Sequence, residues 1–275
     1  MSNKSNTAKT PGRVLIVAGS DSGGGAGIQA DIKTVTVLGA YAMTAVTAIT
    51  VQNTQGVTAV HEVPLDIVAG QIDAVAGDIG IDVVKTGMLA SRPMIEAVAD
   101  TLARTASGVR RVVDPVMRAK GGHALLAEDA AQALVHRLVS GATIVTPNLP
   151  EAEALTGRTI KTIADMEKAV DACRALGAQA VLLKGGHLEG ADLLDLLITA
   201  DKVMRFEGTR IDTTSTHGTG CTLASAIAAG LARGSSLVDA VTAARTYVRG
   251  AILAAPRLGH GHGPLNHGHI FGAFP

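Results

Sequence analysis

Val14-Leu15-Ile16-Val17-Ala18-Gly19-Ser20-Asp21-Ser22-Gly23-Gly24-Gly25-Ala26-Gly27-Ile28-Gln29-Ala30-Asp31 decides the fold. A run of β-branched and aliphatic residues reads as a buried strand. The glycines that follow make a tight turn, and a helical pattern then continues to about Leu38. This strand-turn-helix unit is the start of a βαβ crossover. Further short apolar runs at Val83–Thr86, Val112–Asp114, Thr143–Thr146 and Val181–Lys184 alternate with helical faces such as Ile67, Ile72, Val75 and Ile79, or Ile95, Val98 and Leu102, or Met166, Val170 and Cys173. Such alternation predicts an α/β domain with a doubly wound, mostly parallel sheet flanked by helices. Tyr41–Thr50 and Val57–Val63 read as strands, and Asp195–Ile198 with Val203–Glu207 as a hairpin. Antiparallel additions are therefore expected at the sheet edges. A last long helix runs from Leu237 to about Ala255, before Pro256.

The glycine turn is not a P-loop, because no Gly-Lys-Ser/Thr follows, and the G-x-G-x-x-G spacing of dinucleotide sites fits it only loosely. A second glycine turn is more telling. Thr216-His217-Gly218-Thr219-Gly220-Cys221 delivers a thiol to the start of an Ala-rich helix expected near Thr222. Unpaired N–H groups and the positive end of the dipole make such a helix start an anion site. Gly218, Thr219 and Gly220 form the candidate nest, and Cys221 points into it as a candidate thiolate. The plain alternative is a glycine turn followed by a buried cysteine.

Composition narrows the function classes. The chain has 275 residues, 47% of them hydrophobic, with 24 basic and 24 acidic side chains balancing to zero formal charge. That balance gives no electrostatic footprint for nucleic acid or an anionic membrane, and only 2% aromatic residues argues against base-stacking platforms. Cys173 and Cys221 match no zinc or disulfide spacing. The longest apolar runs, such as Leu223–Ala229, are too short to span a bilayer, and no signal peptide is visible, so the expected compartment is the cytoplasm. Residues 1–11 read as a disordered polar tail and 12–275 as one domain, since no linker interrupts the alternation. His260, His262, His267 and His269 lie in glycine-rich sequence without a rigid element, a poor basis for a metal site.

Polar motifs fall at the carboxyl ends of the strands, where open α/β sheets bind ligands. They are Asp114-Pro115, Pro147-Asn148 and Lys184-Gly185-Gly186-His187. Together with Ala18–Asp31, Gln52-Asn53-Thr54, Lys85-Thr86-Gly87-Met88-Leu89, Asp114-Pro115-Val116-Met117, Thr146–Glu151 and His217–Cys221, in this order, the chain resembles the hydroxymethylpyrimidine/phosphomethylpyrimidine kinases of thiamine biosynthesis, within the ribokinase superfamily. The resemblance covers nearly everything after the first ten residues. It implies a ribokinase-like kinase that moves the γ-phosphoryl of MgATP onto the hydroxymethyl group of an aminopyrimidine, and then phosphorylates that monophosphate.

The resemblance also implies roles. Cys221 takes the place of the aspartate base of related sugar kinases, with Gly218, Thr219 and Gly220 as its anion hole. Glu151, in Asn148-Leu149-Pro150-Glu151, acts on Mg²⁺, one carboxylate sufficing for an ion that keeps several waters. Asn148, Asp114 and Lys184 belong to the nucleotide side. A helix start with Glu in its first turn is the structural alternative for that motif. Gln52 is the candidate reader of the pyrimidine, because a primary amide offers a donor and an acceptor in one plane. Asp31 is a second candidate, and Gly19, Met88 and Val116 line the pocket by family position. Met117–Ala124 reads as a lid whose Lys120 meets the substrate phosphate, although His123 stands where relatives often carry an acidic residue. A pyridoxine or pyridoxal kinase of the same fold is the nearest alternative, and a non-catalytic binding protein a more distant one. A homodimer is expected, with Tyr41–Val63 as a possible edge.

Overall fold

The computed structural model describes residues 10–118, 122, 125–126 and 130–272. In chain order the elements are β1 (Arg13–Asp21), α1 (Gly27–Val37), β2 (Tyr41–Gln52), β3 (Val57–Glu62), α2 (Leu65–Asp78), β4 (Val83–Thr86), α3 (Arg92–Thr105), β5 (Arg110–Val113) and α4 (Ala130–Leu134), which runs on into a π-helical turn at Val135–Val139. Then come β6 (Ile144–Val145), α5 (Leu149–Thr156), α6 (Ile163–Lys168), α7 (Val170–Arg174), β7 (Ala180–Lys184), β8 (Asp192–Thr199), β9 (Val203–Thr209), α8 (Thr219–Ala232) and α9 (Leu237–Leu253).

Among the described residues nine strands form one sheet in the order β3-β2-β1-β4-β5-β6-β7-β8-β9. From β2 to β7 neighbours are parallel, while β3, β8 and β9 add antiparallel at the two edges. The expected α/β architecture and its antiparallel edges are therefore present. Helices cover both faces, as a parallel sheet requires. Leu15, Val17, Val84, Val113 and Val145 meet Ile72, Ile95 and Val98 on one face. On the other, Val14, Ile16, Val83, Val112 and Ile144 meet Leu223, Ile227 and Val241.

Three boundaries differ from the sequence reading. The strand expected over Thr143–Thr146 pairs only through Ile144 and Val145, because its end residues turn into the loop that starts α5. Helix α8 starts at Thr219 rather than near Thr222, since Gly218 in the left-handed region (φ +82°) sets the cap immediately before it. Met166, Val170 and Cys173 fall on two short helices, α6 and α7, that meet at Ala169. The tail reading for residues 1–9, and most of the lid including Lys120 and His123, lie outside the described residues.

Candidate active site

Two glycine turns interlock at the carboxyl edge of the sheet. Asp21, at the end of β1, folds its carboxylate back over its own turn. Oδ1 accepts from Gly23 N at 2.8 Å, and Oδ2 from Gly25 N at 3.0 Å and Ala26 N at 2.8 Å. His217 reaches across from the other turn, with Nε2 2.8 Å from Asp21 Oδ2. Burial works to raise the carboxyl's pKa, but the hydrogen bonds from His217 and the loop outweigh it and hold Asp21 below the usual carboxylate range. The turns touch so closely that a side chain on Gly218 would stand 1.8 Å from Gly25 O. Only glycine fits there, in that backbone conformation.

This clasp puts Cys221 in the first turn of α8, where the N–H groups of Gly220 and Cys221 lack helical partners. The N–H of Gly27, at the head of α1, also points at the thiol. Sequence reasoning expected these positive helix ends to yield a thiolate near neutral pH. The thiol's surroundings work against this. Burial pushes the Cys221 thiol up to about 12; Lys85 pulls it down, and Asp31 and Asp114 push it up. Half a unit of dipole charge does not offset desolvation of a thiolate beside two carboxylates.

Asp31 is the second correction. Its side chain is fully buried and absent from the cleft wall, bonded to Lys85 Nζ at 2.8 and 3.0 Å and to Ser225 Oγ at 2.7 Å. It therefore closes a charge rather than meeting a substrate. Asp31 is on α1, Ser225 lies one turn along α8 from Cys221, and Lys85 comes from β4. The network joins the floor of the site, and Lys85 itself lines the cleft.

Across the cleft stand Asp114, Glu151 and Lys184. Asn148 and Glu151 make a reciprocal cap: Asn148 Oδ1 accepts from Glu151 N at 2.9 Å, and Glu151 Oε2 from Asn148 N at 2.8 Å. The helix-start alternative thus holds, yet both residues also line the cleft. With its oxygen committed, Asn148 keeps only its NH₂ end for a phosphate. Burial pushes the Glu151 carboxyl up to about 7; Lys184 pulls it down, and Asp114 pushes it up. Lys184 Nζ is 3.7 Å from Asp114 Oδ1, while the buried Asp114 Oδ2 has no hydrogen-bond partner. A side chain on Gly220 would come within 3.6 Å of both Lys184 Nζ and Asp114 Oδ2, so the anion turn, the lysine and the carboxylate share one space. An orphaned carboxylate oxygen beside a second carboxylate fits a hard divalent cation with oxygen ligands.

On the side of β2, Gln52 is half-buried, its amide ends 3.1 Å from Thr50 Oγ1 and 3.4 Å from His217 Nε2. Gly19, Met88 and Val116 line the cleft beside it, and any side chain on Gly19 would press to 3.3 Å from Met88 Sδ. The cleft has a volume of about 1400 Å³ and continues past Lys184 to Asp195, Arg245 and Arg249. Sequence reasoning gave no role to Asp21, His217, Lys85 or this far end. There Asp195 accepts from Gly185 N at 3.0 Å and from Arg245 Nε at 2.8 Å, bracing the turn after Lys184. An acidic residue inside the leucine-rich run Leu193–Leu197 was the available signal. Among the C-terminal histidines, His267 packs under the anion turn, 3.0 Å from Thr222 Oγ1, with Tyr247 donating to its carbonyl at 2.5 Å. Among the described residues, no group of three or more side chains is placed to hold a metal there.

Comparison with known proteins bears on the family. Residues 21–266 match the family described as phosphomethylpyrimidine kinase. A hydroxymethylpyrimidine/phosphomethylpyrimidine kinase of Rhizobium meliloti is 52% identical over 258 residues, which cover 93% of this chain and 96% of that protein. Among solved structures, a Bacillus subtilis pyridoxal kinase in complex with ADP superimposes with a TM-score of 0.87 at 38% identity, over 95% of this chain and 99% of that one. A phosphomethylpyrimidine kinase of Clostridium difficile does so with a TM-score of 0.78 at 40% identity, over 89% and 100%. By its matched length and its identity to these enzymes, the chain belongs to the phosphomethylpyrimidine kinase family of ribokinase-like phosphotransferases.

Proposed function

We propose that this chain transfers the γ-phosphoryl of ATP to the hydroxymethyl group of 4-amino-5-hydroxymethyl-2-methylpyrimidine, and then to the resulting monophosphate, as a step of thiamine biosynthesis. The observation that carries the reading is the single cleft that joins an amide reader, Gln52, to an anion turn and its thiol, Gly218–Cys221, and to Lys184, Asp114 and Glu151. Phosphoryl transfer needs positioning and charge stabilisation more than covalent chemistry. Gly218, Gly220 and Cys221 offer N–H groups to the equatorial oxygens of the transferring group, while the Thr219 N–H turns to Thr216 O. Lys184 meets the same phosphate from the strand end, and the NH₂ of Asn148 adds a donor. Gly19, Met88 and Val116 wall the ring in.

Asp114 and Glu151 would hold Mg²⁺, which would supply charge neutralisation to the phosphates of ATP. Cys221 receives the hydroxyl proton as the alcohol attacks. Because the half-buried thiol holds its proton at neutral pH in the unliganded chain, only its small charged fraction serves as base. In a loose transfer the proton leaves late, so a scarce but strongly basic thiolate suits the alcohol step. The second step has a phosphate oxygen as nucleophile and needs no such help.

The exposed apolar residues Ile49, Val51 and Val60 on β2 and β3 support a homodimer formed through this edge. No helix among the described residues is long and apolar enough to cross a membrane. We place the enzyme in the cytoplasm.

The likeness to pyridoxal kinases favours a second substrate, pyridoxal, within the same cleft. Gln52→Glu separates the readings. The change removes an N–H donor and adds a charge to be desolvated, which weakens binding of the neutral aminopyrimidine by about 2–4 kcal/mol. ATP binding survives. Calorimetric titration of both ligands checks this, and undiminished pyrimidine binding would place the base reader elsewhere and strengthen the pyridoxal reading.

A further inference from the structure

The neighbours of Gln52 fix which end of its amide faces which way. Asp21 accepts three backbone N–H groups and is held below the usual carboxylate range, so it is ionised and acceptor-only. His217 Nε2, 2.8 Å away, must therefore carry a hydrogen and donate it to Asp21. That nitrogen has no lone pair left for a donor. The amide end 3.4 Å from it has to be the oxygen, although the nitrogen stands there in this structure.

The other end gives the same answer independently. Thr50 Oγ1 has one hydrogen, and its nearer acceptor is Ser20 O at 2.8 Å. Toward Gln52, at 3.1 Å, the hydroxyl can then only accept, which calls for the amide NH₂. Two unrelated contacts thus demand the same flip. The oxygen lies on the His217 side and the nitrogen on the Thr50 side, leaving one lone pair and one N–H for a ligand.

We propose that Thr50 and the Asp21–His217 pair are specificity-determining positioning residues that lock the hand of the Gln52 amide, so that the cleft accepts a 4-aminopyrimidine and rejects the 4-oxo pattern. This rests on the function proposed above. An aminopyrimidine presents an amino donor beside a ring-nitrogen acceptor. The locked amide meets them with its oxygen toward His217 and its N–H toward Thr50. A 4-oxopyrimidine presents the reverse, a carbonyl acceptor beside a ring N–H, and matches only a flipped amide. A flipped amide would point NH₂ at His217 N–H, donor against donor, and would set its oxygen against the lone pairs of Thr50 Oγ1, whose hydrogen is committed to Ser20 O. An unlocked glutamine would serve both ligands by rotating.

The test titrates 4-amino-5-hydroxymethyl-2-methylpyrimidine and its 4-oxo counterpart into the full chain, with ATP titrated as the folding control. Wild type should prefer the amino ligand by about ten- to a hundredfold, as for a two-point base contact. Thr50→Val removes one of the two anchors. It should cut that preference about three- to tenfold, chiefly by improving the relative binding of the oxo ligand, while Thr50→Ser restores it. Thr50→Ala serves if the valine variant does not fold. Equal weakening of both ligands, or an unchanged ratio, would show that Thr50 is only structural and overturn the inference. A wild type that binds neither pyrimidine would overturn the proposed function itself, a different result from failure of the lock.

Discussion

Lys85 Nζ lies 2.8 Å from Asp31 Oδ2, and neither side chain is exposed at all. Burial works to lower the pKa of the ammonium, and the negative groups around it, Asp31 foremost, more than reverse this. Removing one partner strands the other charge inside the protein, at a typical cost of about 3–5 kcal/mol. Asp31→Asn should lose that much in urea unfolding. Asp31→Leu combined with Lys85→Met should lose less than the single change. A small stability loss with selectively weakened pyrimidine binding would instead restore Asp31 as a substrate ligand.

The high pKa of Cys221 gives the alcohol step a pH signature. A thiol at about 12 gains thiolate tenfold per pH unit throughout the neutral range. At saturating Mg²⁺, kcat/KM for hydroxymethylpyrimidine should therefore climb from pH 7 to 9. The same constant for the monophosphate should stay flat, since a phosphate monoester with a second pKa of about 6 is already dianionic. Cys221→Ala should lower the first step by about 10²- to 10⁴-fold and abolish its pH rise. A flat first-step profile in wild type would contradict a base role for this thiol.

Glu151 makes a prediction of opposite sign to the usual carboxylate. Its folded pKa of about 7 stands above the ordinary value near 4.3, so the folded chain binds the proton more tightly than the unfolded chain. Stability is then greatest below the unfolded pKa and falls as pH rises from about 4 to 7. Gln keeps the cap acceptor without the buried charge. Glu151→Gln should be about 1–3 kcal/mol more stable than wild type at pH 8 and nearly equal at pH 4, while needing more Mg²⁺ for half-maximal rate. Denaturant titrations at the two pH values check the first part. A less stable variant at pH 8 would mean that the carboxylate is fully compensated where it stands.

Much of this architecture was legible in sequence because central parallel strands are buried on both faces. Val83–Thr86 reads as a short β-branched run carrying one lysine and forms β4 over those same residues. Ile144–Val145 was too short to delimit, since the β-branched Thr143 and Thr146 on either side read equally well as strand. Asp31 was misread because a polar residue after a glycine turn looks alike whether its helix faces a ligand or α8. Only the packing of α1 against α8 decides. A clue existed nonetheless: a lysine inside the core strand Val83–Thr86 demands a buried counter-charge, and Asp31 is that charge. The thiol was misread for a related reason. A helix start is visible in sequence, but the depth at which it is buried, and the carboxylates arriving from β5 and α1, are not.

The central claim is that one cleft performs two successive transfers to a hydroxymethyl aminopyrimidine. Its most direct measurement is ADP release, with product identity read by mass spectrometry, when ATP and Mg²⁺ are supplied in parallel with hydroxymethylpyrimidine, its monophosphate, or pyridoxal. The account predicts turnover with both pyrimidines, yielding monophosphate and then diphosphate, at a kcat/KM above that for pyridoxal. Turnover with pyridoxal alone, or with neither pyrimidine, would contradict it.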